Sequence, residues 1–144
     1  MLLLTGATGY VGGRLLRRLE EEGLPVRCLC RDPEALRWRV APATELMRGD
    51  LLRPASLDLA FSGVDTAFYL VHSMNSGTGF ETNEAASAAN FALAANKAGV
   101  HRIIYLGGLG EESPEMSDHL RSRVTPSATI QSLPATSLWS WHAG

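Results

Sequence analysis

Met1-Leu2-Leu3-Leu4-Thr5-Gly6-Ala7-Thr8-Gly9-Tyr10-Val11-Gly12 opens the chain, and its reading decides the fold. An apolar run passes into a glycine-rich turn and then directly into a helix. That order binds the pyrophosphate of a dinucleotide. The first glycine turns the chain sharply off the strand, the second lets the backbone approach the phosphates, and the third lets the helix pack close to the strand. The helix N-terminus adds unpaired N–H groups and a partial positive charge. The spacing is G-x-x-G-x-x-G rather than G-x-G-x-x-G. Ala7, Thr8, Tyr10 and Val11 lie between Gly6, Gly9 and Gly12, and all seven are candidate cofactor contacts. The plain alternative is a strand, turn and helix with no ligand.

The context on the C-terminal side supports the motif. Val11, Leu15 and Leu19 share one helical face, the charges from Arg14 to Glu21 lie elsewhere, and Gly23 ends the helix. Beyond it strand and helix alternate. Leu24–Cys30 reads as a second strand. Asp32-Pro33-Glu34 starts a helix, with Asp as cap and Pro in the first turn. Glu45–Arg48 reads as a third strand, Pro54–Ser62 as a short helix and Asp65–Val71 as a fourth strand. Alanine-rich Glu81–Ala98 reads as a helix stopped by Gly99, and Arg102–Leu106 as a fifth strand. Five strands joined by helices or long crossovers predict an α/β fold with a parallel sheet. Right-handed crossovers make it a doubly wound Rossmann sheet of order 3-2-1-4-5, with the ligand at the carboxyl ends of strands 1 and 4.

The chain has 144 residues, 45% hydrophobic, and a formal net charge of −2, which suits one globular domain. No basic run points to nucleic acid or an acidic membrane surface. Met1–Leu4 is too short for a membrane span or a secretory leader. Cys28 and Cys30 stand in a C-x-C pattern that is neither a redox nor a zinc spacing. They read as two small apolar side chains in a reducing cytoplasm, the expected location. The four histidines, His72, His101, His119 and His142, form no metal spacing.

Thr5-Gly6-Ala7-Thr8-Gly9-Tyr10-Val11-Gly12 resembles the cofactor turn of the extended and atypical short-chain dehydrogenase/reductases, and of their NmrA-like branch in particular. That branch includes relatives of the accessory nucleotide-binding subunit of respiratory complex I. The resemblance covers residues 1 to about 123, the expected NAD(P)-binding Rossmann domain. Residues 124–144 fall outside it. They contain no Asp, Glu, Lys or Arg and show no sustained helical or strand period. Family members continue with further strands and a substrate-binding portion. The segment is therefore expected to be a frame-shifted or truncated end, or else a disordered tail, leaving the sheet incomplete on its C-terminal side.

Two positions bear on which cofactor is held. Nucleotide enzymes read the adenosine ribose at the end of the second strand, with an acid for the 2′-OH of NAD or an arginine for the 2′-phosphate of NADP. Here Arg31 precedes Asp32. Asp32 already caps a helix, so Arg31 leans the reading toward NADP over NAD; the alternative for Arg31 is a solvated charge. The resemblance implies that Asp50 of Gly49-Asp50-Leu51 lies by the adenine and accepts from its amine. Asp50 also reads as a cap for the next turn, and both readings can hold together. Val71 and His72, at the end of the fourth strand, fall toward the ribose or nicotinamide. His72 is either a titrating group or polar surface.

The resemblance also implies a Ser after strand 5 and a Tyr-x-x-x-Lys on the next helix, with Tyr exchanging the proton. This chain departs from that pattern. Gly107-Gly108 stands where the serine is expected, and His119 and Arg123 occupy the spacing of Tyr and Lys. His119 and Arg123 are the catalytic candidates; Tyr105 reads as packing. The first functional reading is an NADP(H)-binding module without standard dehydrogenase chemistry, acting as a sensor or in an assembly with a protein partner. The second is an NAD(P)H-dependent oxidoreductase or epimerase acting on a quinone, carbonyl or sugar-nucleotide substrate. The third is a non-functional fragment.

Overall fold

The computed structural model describes residues 1–71, 80–107 and 137–142. The chain runs β1 (Leu2–Thr5), α1 (Tyr10–Glu21), β2 (Val26–Cys30), α2 (Glu34–Arg37), β3 (Glu45–Arg48), a 3-10 turn (Pro54–Ser56), α3 (Asp58–Phe61), β4 (Thr66–Tyr69), α4 (Phe80–Lys97), β5 (Arg102–Gly107) and β6 (Ser137–His142). The strands form a single sheet in the order β3-β2-β1-β4-β5-β6. Every neighbouring pair is parallel. The expected order 3-2-1-4-5 and the doubly wound Rossmann fold are therefore present.

Both faces of the sheet are covered, which is why its strands read as continuous apolar runs. Leu3 and Leu4, adjacent on β1 and both fully buried, point to opposite cores. Leu4 joins Ala7, Leu16, Leu19, Val26, Cys28 and Leu36 beneath α1 and α2. Leu3 joins Phe61, Tyr69, Phe91, Ile103 and Tyr105 beneath α3 and α4. In this second core the rings of Phe61 and Tyr69 stand edge-on to Phe91, with centroids 5.1 and 5.0 Å away.

Helix ends follow local chemistry. Asp32 accepts from the Glu34 amide at 3.2 Å, but the residue at the capping position of α2 is Pro33, so Asp32 sits one place before the expected cap. α1 and α4 end alike: the Leu24 amide donates to the Leu19 carbonyl at 3.0 Å, and the Val100 amide donates to that of Ala95 at 2.9 Å. These bonds close over Gly23 and Gly99 and satisfy carbonyls the last turns would otherwise leave open. One detail of α1 differs from the sequence reading. Its buried stripe is Gly12, Leu16 and Leu19, whereas Val11 is 42% exposed. The close approach of Gly12 to the preceding turn puts Gly12 rather than Val11 on the buried face.

A sixth strand lies where the sequence showed no period. Ser137–His142 pairs with β5 from Arg102↔Ser137 to Gly107↔His142. A backbone ladder needs no amphipathic alternation, so this uncharged stretch carried no strand signature. The expected boundary at residues 123 and 124 lies outside the described residues, as do His72, His119 and Arg123.

Candidate functional site

The parallel sheet brings the carboxyl ends of β1 to β5 to one edge, and most of the candidate residues sit there. The turn from Gly6 to Gly9 leaves β1 and closes with the Gly9 amide donating to the Gly6 carbonyl at 3.0 Å. Gly6 has φ +76°, and a Cβ there would stand 2.5 Å from the Leu70 carbonyl oxygen. A Cβ on Gly12 would collide with the Gly6 carbonyl oxygen and lie 2.7 Å from its carbon. The chain therefore closes a cradle that only glycine fits at two positions. Among the described residues no side chain caps α1, and its first turn holds no acidic residue. Its first amides and the positive end of its dipole are thus left for an anion.

Thr5 supports the cradle from below. Its buried hydroxyl donates to the Phe68 carbonyl at 2.9 Å and accepts from the Leu70 amide at 3.3 Å. The β1–β4 ladder ends at Leu4↔Phe68. Thr5 thus carries the link one step further, at the place where the sheet order reverses. Ala7 is buried, whereas Tyr10 is 78% exposed beside the cradle. The Arg14 guanidinium lies 5.5 Å from the centre of the Tyr10 ring. Val71, just past β4, is half-buried against the α3–α4 core.

At the end of β2, Arg31 is exposed and makes no ion pair or hydrogen bond among the described residues. Sequence reasoning missed a guanidinium beside α1. Arg39 follows α2, and its Nη2 lies 3.5 Å from the position a Cβ on Gly13 would take. The segment after Arg39 is pinned by Glu20 of α1, which accepts from the Ala41 amide at 2.8 Å and the Thr44 hydroxyl at 2.5 Å. These contacts span more than twenty residues of sequence and leave no local pattern.

Past β3, Asp50 does cap its turn: Oδ1 accepts from the Leu52 amide at 3.0 Å. The Asp50 amide donates to the Ser56 hydroxyl at 3.0 Å, and the Asn90 amide group of α4 donates to the Leu51 carbonyl at 2.7 Å. Ser56 and Asn90 were also missed. Asn90 shows in the sequence only as a polar residue within an alanine-rich helix.

The pKa values of Cys28, Cys30 and Tyr69 are all shifted upward. Burial pushes the Cys28 thiol up to about 12, with the charges of Cys30 and Glu20 adding to it. Cys30 is raised by burial and by Asp32, and partly offset by Arg48. Neither thiol is activated as a nucleophile. The Tyr69 phenol is raised by burial first, then by Glu84 and Tyr105. Tyr105 is fully buried against Tyr69, as its packing role requires.

Comparison with known proteins agrees with this geometry. The sequence pattern of a family described as NAD(P)H-binding matches residues 6–132. The chain belongs to that NAD(P)H-binding family, with structural neighbours among the extended and atypical short-chain dehydrogenase/reductases. It is 36% identical over 123 residues to (4-alkanoyl-5-oxo-2,5-dihydrofuran-3-yl)methyl phosphate reductase of Streptomyces griseus, covering 85% of this chain and 40% of that protein. It is 32% identical over 110 residues to the NAD(P)H azoreductase of Xenophilus azovorans, covering 76% and 36%. Among solved structures, the triphenylmethane reductase of Citrobacter sp. complexed with NADP(H) superposes with a TM-score of 0.77. Its sequence is 27% identical, and the match covers 91% of this chain and 45% of that one. The chain thus spans less than half the length of these relatives. Among the described residues, no helix is long and apolar enough to cross a membrane.

Proposed function

We propose that the chain is an NADP(H)-binding module that works without the Ser-Tyr-Lys chemistry of its superfamily, as a sensor of the nucleotide or within an assembly. The observation that carries this reading is the cradle of Gly6 and Gly12 before the uncapped start of α1. A space that a Cβ would fill suits a pyrophosphate in close contact with backbone. In this reading Gly6, Ala7, Thr8, Gly9, Tyr10, Val11 and Gly12 hold the pyrophosphate and its flanks. Asp50 and Leu51 receive the adenine, and Val71 and His72 face the nicotinamide side. The bound dinucleotide supplies hydride chemistry.

The preference for NADP rests on Arg31. Its guanidinium stands exposed at the end of β2, and Arg39 lies over the start of α1. Asp32, the residue that would select NAD, gives one carboxylate oxygen to the Glu34 amide. A free guanidinium suits a dianionic phosphate better than a ribose hydroxyl. A thermal melt of the 144-residue chain, titrated with NADPH and with NADH, tests the reading. A ligand that binds only the folded state adds about 2.7 kcal/mol at a hundredfold excess over Kd. The melt is expected to rise more with NADPH. Arg31→Ala should weaken NADPH at least about tenfold, since bonds to a charged group are the stronger kind, while NADH changes little. Equal losses for both nucleotides would refute the assignment.

A second reading is an NADPH-dependent reductase, favoured by the reductases among the relatives. Here the nucleotide half delivers hydride to a quinone, carbonyl or dye-like acceptor held by a further portion of chain, with His119 and Arg123 as acid and ribose holder. Oxidation of NADPH with a panel of such acceptors separates the two. Turnover abolished by His119→Ala supports the reductase, and no turnover with any acceptor supports the binding module.

A further inference from the structure

We propose that Asn90 is a positioning residue for adenine recognition, acting through the Asp50–Leu51 turn. This rests on the reading above in which Asp50 accepts from the adenine amine. The Asn90 side chain reaches from α4 across thirty-nine residues of sequence and donates to the Leu51 carbonyl at 2.7 Å. Its own backbone is fixed, because the next residue, Phe91, is fully buried between Phe61 and Tyr69. Farther along α4, Lys97 pairs with Asp58 at 2.7 Å and ties the helix to α3. Asn90 thus hangs from a rigid helix and grips the turn from outside.

What it grips is already committed in part. Asp50 Oδ1 accepts from the Leu52 amide at 3.0 Å, and the Asp50 amide donates to Ser56 at 3.0 Å. Asp50 Oδ2 makes no hydrogen bond among the described residues and is the acceptor left for a ligand. The chain leaves the sheet one residue earlier, where the Gly49 amide makes the last bond back to β2, to the Cys30 carbonyl at 3.0 Å. The turn is held at Gly49, at the Asp50 backbone by Ser56 and the Arg53 amide, and at the Leu51 carbonyl by Asn90. With Asn90 gone its far end at Leu51 and Leu52 is released, and since the Leu52 amide is what orients the Asp50 carboxylate, the direction of Oδ2 loosens. A carboxylate accepting from an amine needs that direction, because hydrogen bonds weaken steeply with misalignment.

The test compares NADPH with its deamino counterpart, in which hypoxanthine replaces adenine and an oxygen stands where the amine was. Dissociation constants are measured on the 144-residue chain and on Asp50→Ala, Asn90→Ala and the space-filling Asn90→Leu, each checked for a cooperative melt. The wild type should favour the adenine form about tenfold, the scale of one charge-assisted bond. Asp50→Ala should bring that ratio near unity, and both Asn90 variants should do the same while binding of the deamino form changes little. If the wild type shows no preference, the adenine reading of Asp50 fails and this inference with it. If Asp50→Ala abolishes the preference and the Asn90 variants keep it, the inference alone fails. Equal weakening of both nucleotides, or loss of the cooperative melt in both Asn90 variants, would make Asn90 structural and overturn it as well.

Discussion

At the scale of single residues, Gly12 is the most tightly enclosed of the described glycines. Its missing Cβ is what allows the Gly6 carbonyl to sit against α1, and the clash lies with backbone, which cannot rotate away as a side chain can. Gly12→Ala is expected to destabilise the chain by about 1–3 kcal/mol, the usual cost of overpacking, and to weaken nucleotide binding beyond that. Urea unfolding with and without NADPH reads both effects. Unchanged stability would mean that the turn is loose enough to move aside. Gly13, its neighbour, would meet the Ala7 carbonyl oxygen at 3.3 Å and the Arg39 guanidinium at 3.5 Å and should tolerate alanine far better. The pattern of three glycines was legible because each missing Cβ serves a local need. Thr5 was not read as part of the site, since its partners, Phe68 and Leu70, are more than sixty residues away.

Elements were legible where local chemistry sets them. The Asp32–Glu34 contact before α2, the stops at Gly23 and Gly99 and the length of α4 all follow from residues within a turn of the feature. The buried face of α1 was not, because Val11 and Leu16 are equally apolar and only the approach of Gly12 chooses between their faces. The packing of α3 against the sheet is also non-local. Arg27 of β2 pairs with Glu45 at 2.6 Å and donates to the carbonyls of Ala60 at 2.9 Å and Ser62 at 2.8 Å, at the end of α3. One half-buried guanidinium thus joins β2, β3 and a four-residue helix too short to hold itself. Arg27→Leu leaves those carbonyls and Glu45 without their donor and should cost about 2–3 kcal/mol. A comparable change from Arg37→Leu, whose pair with Glu34 is exposed, would contradict this, since surface pairs contribute about 0–1 kcal/mol.

At the scale of the whole molecule, the strand order was legible from alternation and handedness alone, because right-handed crossovers leave few ways to place five parallel strands. The sixth strand was not, since its ladder with β5 is a backbone interaction without a side-chain period. The covered sheet also has a consequence for pH. Cys28 lies fully buried beneath α1 and α2, where burial pushes its thiol up from 9.0 to about 12. The folded state thus holds this proton more tightly than the unfolded chain does. Its contribution is complete below about pH 9 and is lost as pH rises toward about 12, at about 1.4 kcal/mol per pH unit. Cys30, raised more gently by burial and Asp32, adds to the same decline. Urea midpoints are therefore expected to stay level from about pH 7 to 8.5 and to fall above about pH 9. Cys28→Val, which keeps an apolar side chain of similar size, should flatten that fall and leave the weaker slope of Cys30. A decline equally steep in wild type and Cys28→Val would show that the thiol meets water in the native state and that the core beneath α1 is open.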